Sequence, residues 1–139
     1  MTRIVVDASI TGLMLLSDEV DPQRTSIRDL LVGSDLILAA HWPLEVASLL
    51  VKATRRQRLL AEDRDKRLAE VDLIRAAGQI EQAAASRDIY RLAIAANLTA
   101  YDAVYLDLAI RLDATLATND DALIVVARAR GVPVLTTRL

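Results

Sequence analysis

The run Ile4-Val5-Val6, followed at once by Asp7, constrains this chain more than any other stretch. Three β-branched residues in succession leave no polar side for water, so they describe a strand buried on both faces. Strands of that kind belong to parallel sheets, whose neighbours are joined by crossovers, usually helical. Asp7 then ends the first strand, and Ala8 opens the first helix. In open α/β sheets, ligand sites gather at such carboxyl ends.

The rest of the chain alternates in the same way. Residues 3–7 read as strand and 8–17 as helix, with Gly12 a mild weakness inside it. Asp18 to Asp21 with Pro22 form a polar break, and a short helix over 23–32 is stopped by Gly33 in the C′ role. A second strand covers 35–39, and Pro43 suits the first turn of a helix from about 43 to 56. A charged helix over 62–77 ends at Gly78, and an Ala-rich helix covers 83–96. After a break at Leu98-Thr99, a helix at 100–112 leads to a third strand at 114–117. A helix over 120–130 ends at Gly131, and 132–135 form a last strand whose Pro133 argues for a sheet edge. These elements predict one domain over 1–139. Its architecture is α/β, a small, mostly parallel sheet with helices on both faces.

Composition removes several classes of function. At 139 residues and 53% apolar, the chain has enough material for a real core. No apolar run reaches the roughly 18 residues of a membrane helix. Met1-Thr2-Arg3 runs straight into strand, so no signal peptide is expected. The lack of cysteine excludes disulfides and thiolate zinc sites, and is compatible with cytoplasm. A net charge of −2 does not announce a nucleic-acid partner, so any such contact needs a local basic patch. One Trp, three Tyr and no Phe argue against base stacking on an aromatic platform.

Four acids share one kind of address. Asp7 and Asp120 each follow a strand and open a helix; Glu45 and Asp102 fall in first helical turns. Singly, each fits a cap, because helix N-termini favour acids. Thr99-x-x-Asp102 and Thr118-x-x-Asp121 both resemble capping boxes. Jointly they say more. If the first and third strands are neighbours, Asp7 and Asp120 reach one edge. Two carboxylates roughly 4 Å apart repel by about 1–4 kcal/mol, so a cluster of four binds protons or a cation. Hard oxygen donors without cysteine suit Mg²⁺ or Mn²⁺, ions that activate water in phosphodiester hydrolysis.

Val5-Val6-Asp7-Ala8-Ser9, Glu45-Val46-Ala47, Tyr101-Asp102-Ala103-Val104-Tyr105-Leu106 and Leu116-Ala117-Thr118-Asn119-Asp120 occur in that order across nearly the whole chain. In order and spacing they resemble a PIN-domain nuclease, most closely the VapC-like toxins of bacterial toxin–antitoxin pairs. The resemblance implies a PIN-like α/β/α fold and a metal-dependent endoribonuclease. By position, its acidic quartet is Asp7, Glu45, Asp102 and Asp120, holding one or two Mg²⁺ or Mn²⁺ ions. Ser9 and Thr118 match the small hydroxyl residues that support it. The resemblance also implies a homodimer neutralised by a small antitoxin, with higher assemblies of the two. One departure is Ser48, where the family often has Asn. Asp121 competes with Asp120; the family's Thr-x-Asp spacing favours Asp120. Asp107 lies about 140° round its helix from Asp102, too far to share a ligand, and pairs better with Arg111.

Glu45, Ser48, Lys52 and Arg55 follow one another at helical spacing, so Lys52 and Arg55 are candidate phosphate contacts on the stripe that bears Glu45. An ordinary solvated face accounts for them as well. Arg58, Arg64, Lys66 and Arg67 alternate with Glu62, Asp63 and Asp65, which reads as a solvated helix. His41 has no evident partner and reads as structural, and Trp42 reads as core or interface. Leu13 and Leu16 could meet a second copy or an antitoxin, though burial in the core explains them too. Three rival functions remain. A haloacid-dehalogenase-like phosphatase expects an acid where Ser9 stands, and a receiver domain expects a strand-end lysine that Lys52 and Lys66 do not supply. A non-catalytic PIN-like binding module needs no intact acidic set.

Overall fold

The computed structural model describes residues 2–16 and 22–138. The elements run β1 (Arg3–Val6), α1 (Ala8–Leu16), α2 (Pro22–Leu31), β2 (Asp35–Ala39), α3 (Trp42–Arg55), α4 (Arg64–Ala77) and β3 (Gln79–Glu81). They continue with α5 (Ser86–Ala96), α6 (Ala100–Arg111), β4 (Thr115–Ala117), α7 (Asp121–Ala129) and β5 (Val134–Leu135). Asp18 to Asp21, the expected polar break, lie outside the described residues.

The sheet is parallel throughout, in the order β3-β2-β1-β4-β5. The buried run 4–6 therefore sits in the central strand, and β5 with Pro133 before it takes an edge, as the missing N–H requires. The period-2 alternation sorts the strands between two cores. Val5, Ile37 and Leu116 face one side with Tyr105, Leu108 and Leu123, under α5, α6 and α7. Ile4, Val6, Leu36 and Leu38 face the other with Ile10, Trp42 and Val46, under α1 to α4. The result is the expected three-layer α/β/α arrangement. Trp42 is fully buried, and its indole N–H donates to Thr11 Oγ1 at 3.0 Å, which ties α3 to α1.

This order places the crevice. From β1 the chain works outward through β2 to β3, then returns to the far side of β1 as β4. The helices leaving β1 and β4 go to opposite faces, α1 to one and α7 to the other. Between two such divergent connections the sheet edge opens.

Two expectations about elements fail for local reasons. β3 was not foreseen, because Gln79-Ile80-Glu81 has one apolar residue; its pairing with β2 comes from the partner strand. The Ala-rich helix begins at Ser86 instead of 83, because the preceding segment stays extended and Arg111 Nη2 takes the Gln82 carbonyl at 3.1 Å. Gly78 does more than stop α4. A Cβ there would lie 2.7 Å from Leu38 Cδ1 and 2.8 Å from its Cγ, so the turn into β3 needs a residue without one. Arg67 also departs from the solvated reading: it is 9% exposed and bonded to Glu70 at 2.6 Å.

Candidate functional site

Asp7 stands where the sheet edge opens. Its N–H donates to the Ala117 carbonyl at 3.0 Å, which pins the end of β1 to the end of β4. Its side chain is buried. Oδ2 accepts from Ser9 Oγ at 2.8 Å and from Thr118 Oγ1 at 2.6 Å. Each hydroxyl is oriented by a backbone donor: Asn119 N–H reaches Ser9 Oγ at 2.9 Å, and Asp120 N–H reaches Thr118 Oγ1 at 3.0 Å. Each therefore turns its own proton toward Asp7, whose Oδ1 has no donor among the described residues.

Glu45 enters from the first turn of α3, beyond the end of β2. Tyr105, buried on α6, donates its hydroxyl to Glu45 Oε1 at 2.8 Å. His41 Nε2 approaches the same oxygen to 2.8 Å, although its N–H is not aligned for a good hydrogen bond. The His41 ring packs against Tyr105 and Tyr101, with centroids 4.9 Å and 5.4 Å away. The expectation that His41 lacks a partner is thus overturned. The signal was its i+4 spacing to Glu45, obscured because His41 precedes the helix.

Asp102 lies in the first turn of α6, where Thr99 Oγ1 caps its N–H at 3.1 Å, as the Thr99-x-x-Asp102 pattern suggests. Asp120 is the N-cap of α7, with Oδ1 accepting from Leu123 N–H at 2.9 Å. Capping does not remove it from the crevice. The Thr118-x-x-Asp121 box does not form, because the Thr118 hydroxyl is committed to Asp7 and Asp120 caps the helix instead. Asp121 is exposed and takes a fork from Arg138 at 3.1 Å and 3.0 Å. Arg111 bonds Asp107 at 2.8 Å, the expected i+4 pair.

The acids feel one another's charge. Burial pushes the Asp7 carboxyl up; Thr118 and Ser9 pull it down, and the charges of Glu45 and Asp120 add to the rise. Asp102 is pushed up to about 6, first by burial and then by Asp120 and Asp7, with Glu45 contributing and Thr99 opposing. Glu45 moves the other way. Burial raises it, but His41 and Tyr105 outweigh burial and hold it below the ordinary value. Burial and the neighbouring Glu45 push the Tyr105 phenol well up, so it stays a donor. Lys52 and Arg55 lie exposed on the last turns of α3, with no ion pair to a described residue.

The donor chemistry fits a hard divalent cation. Asp7, Glu45 and Asp120 each commit one oxygen to protein donors, and the other accepts from no described residue. Among the described residues, no three acids or histidines close on one ion by themselves. A cavity of about 350 Å³ lies elsewhere, among Met14, Leu15, Leu31, Leu36 and Ile74, and none of the four acids lines it.

The fold is shared with solved structures of low sequence identity. PAE2754 from Pyrobaculum aerophilum superposes with a TM-score of 0.70 at 20% identity, over 90% of this chain and 84% of that one. VapBC2 from Rickettsia felis, solved bound to a DNA fragment from its promoter, gives 0.63 at 13%, over 97% and 98% of the two chains. FitAcB from Neisseria gonorrhoeae gives 0.60 at 20%, over 95% and 96%. No curated protein matches by sequence. The model of the PIN domain matches residues 4–130, an interval that holds all four crevice acids. The chain belongs to the PIN domain family.

Proposed function

We propose that this chain, folded as one domain, is a metal-dependent endoribonuclease, the VapC-like toxin of a toxin–antitoxin pair. The observation that carries the reading is Asp7: buried at the opening of the sheet edge, with one oxygen held by Ser9 and Thr118, the other without a donor among the described residues, and three further acids within electrostatic reach. In this reading Asp7, Glu45, Asp102 and Asp120 hold Mg²⁺ or Mn²⁺. When bound, such an ion supplies positive charge against the phosphoryl oxygens and lowers the pKa of water. Ser9 and Thr118 fix the Asp7 carboxylate, and His41 and Tyr105 fix that of Glu45. Lys52 and Arg55 then meet phosphates of the RNA. The likeness to VapBC2 and FitAcB supports a small antitoxin as partner, and a homodimer follows from the same reading. Among the described residues, no single helix is long and apolar enough to cross a membrane. Action in the cytoplasm belongs to the same toxin reading.

The test is cleavage of total RNA by purified protein with Mg²⁺, read by sequencing the new ends. Asp7→Asn should abolish cleavage while its circular dichroism and melting temperature show an intact fold, since a buried amide avoids the cost of a buried charge. Undiminished cleavage by Asp7→Asn would overturn the assignment.

A further inference from the structure

In a chain with three tyrosines and one histidine, two of the tyrosines and the histidine gather at a single carboxylate. Their exposure is graded. Tyr105 is fully buried, His41 is half-buried, and Tyr101 is 64% exposed. The buried ring has a structural reason to be aromatic, since its hydroxyl reaches Glu45. Tyr101 has no comparable reason. Its hydroxyl bonds to no described residue and most of its ring lies in water, so core packing does not require it. It is nevertheless held. The ring leans on His41 at 5.4 Å with 51° between the planes, and its backbone sits in the first turn of α6 beside Asp102. Tyr101 thus stands one ring away from Glu45 and one residue away from Asp102.

We propose that Tyr101, braced by His41, is the ledge on which a nucleobase of single-stranded RNA stacks while the adjoining phosphate enters the acidic crevice. The proposal rests on the ribonuclease reading above and adds where the base lies; it reverses the expectation drawn from scarce aromatics, because two of the three tyrosines lie beside His41 at the acids. A phosphate and its base are joined through one ribose, so a phosphate at the acids brings a base to their rim. An unpaired base can offer its face to a ring, whereas a paired one is covered by its neighbours. The bracing limits how far the Tyr101 ring swings, which reduces the ordering cost of stacking. Such stacking tolerates any base, so it selects single strands over duplexes and not one sequence over another.

The experiment uses the Asp7→Asn protein, which should bind RNA without cutting it. Its affinity is measured by fluorescence anisotropy for a short labelled RNA of mixed sequence. The comparison ligand is the same oligomer with several central nucleotides made abasic, which keeps every phosphate. The proposal expects about tenfold tighter binding of the base-bearing RNA. Adding Tyr101→Ala should erase that preference and leave the affinity for abasic RNA unchanged, while Tyr101→Phe should keep it. Retention of the preference by Tyr101→Ala, or its loss in Tyr101→Phe, overturns the ledge. Sedimentation of the same proteins supplies a second readout. If Tyr101→Ala instead dissociates an oligomer with RNA binding unchanged, the ring belongs to an interface between copies and the proposal fails. Wild-type cleavage of RNA together with indifference to Tyr101 defeats only the ledge. Failure to cleave or bind either oligomer removes the ribonuclease reading and the ledge with it.

Discussion

Glu45 accepts from Tyr105 at 2.8 Å through Oε1, the oxygen that His41 also approaches. Removing only the phenolic oxygen leaves the ring in its buried place and frees that carboxylate oxygen to rotate. Groups that orient a metal ligand typically change affinity or rate by about 10–100-fold. Tyr105→Phe is therefore expected to weaken Mn²⁺ binding within that range, read by electron paramagnetic resonance, and to lower cleavage in parallel. Asp102 yields a prediction in pH. Its folded pKa of about 6 lies above the ordinary 3.8. Its contribution to stability is complete below the ordinary value and is lost as pH rises through about 6. Asp102→Asn should therefore melt higher than the wild type at pH 8 in chelator. The gap, a few degrees at most because the group is partly solvated, should close as the pH falls toward 4. An unchanged gap across that range would refute the shift. Protons and cation compete for the same carboxylate, so Mn²⁺ affinity should also fall below about pH 6.

At the scale of elements, the turn from α4 into β3 leaves no room for a side chain at Gly78. The Gly78 backbone angle is one any residue adopts (φ −92°), so the constraint is contact with the buried Leu38 side chain. Gly78→Ala should cost about 1–3 kcal/mol through overpacking. A urea titration would show it as a lower midpoint at unchanged slope, and an unshifted midpoint would mean that Leu38 moves aside freely. The same turn explains why β3 was illegible. A three-residue edge strand draws its pairing from β2 and its space from a glycine, and neither is written in Gln79-Ile80-Glu81. β1, by contrast, was legible because a central strand is buried on both faces and must be apolar throughout.

At the scale of the whole molecule, a net charge of −2 gives no general attraction to a polyanion. RNA affinity then depends on local cations set against the repulsion of the acids. Lys52 and Arg55 are the candidates that share α3 with Glu45. If each neutralises one phosphate, replacing both by Ala should reduce the slope of log affinity against log salt by about 1.4 in magnitude, at about 0.7 per contact on a single strand. Helix content should not change, since both are exposed. An unchanged slope would return the stripe to ordinary solvated surface.

The sequence alone determined the class of fold and singled out four acids as candidates. Burial on both faces forces β-branched runs, helix starts favour acids, and both effects are local enough to leave a pattern in the residues. Tertiary structure decided how those acids differ. Thr118 serves Asp7 and not a capping box with Asp121; Asp120 caps a helix while its charge still raises Asp7 and Asp102; and Glu45 is held by Tyr105 from a distant helix. The ring cluster at its side was illegible for the same reason. His41 and Tyr101 are brought together only because α3 and α6 meet over the sheet edge, and a contact between residues so far apart has no period to reveal it.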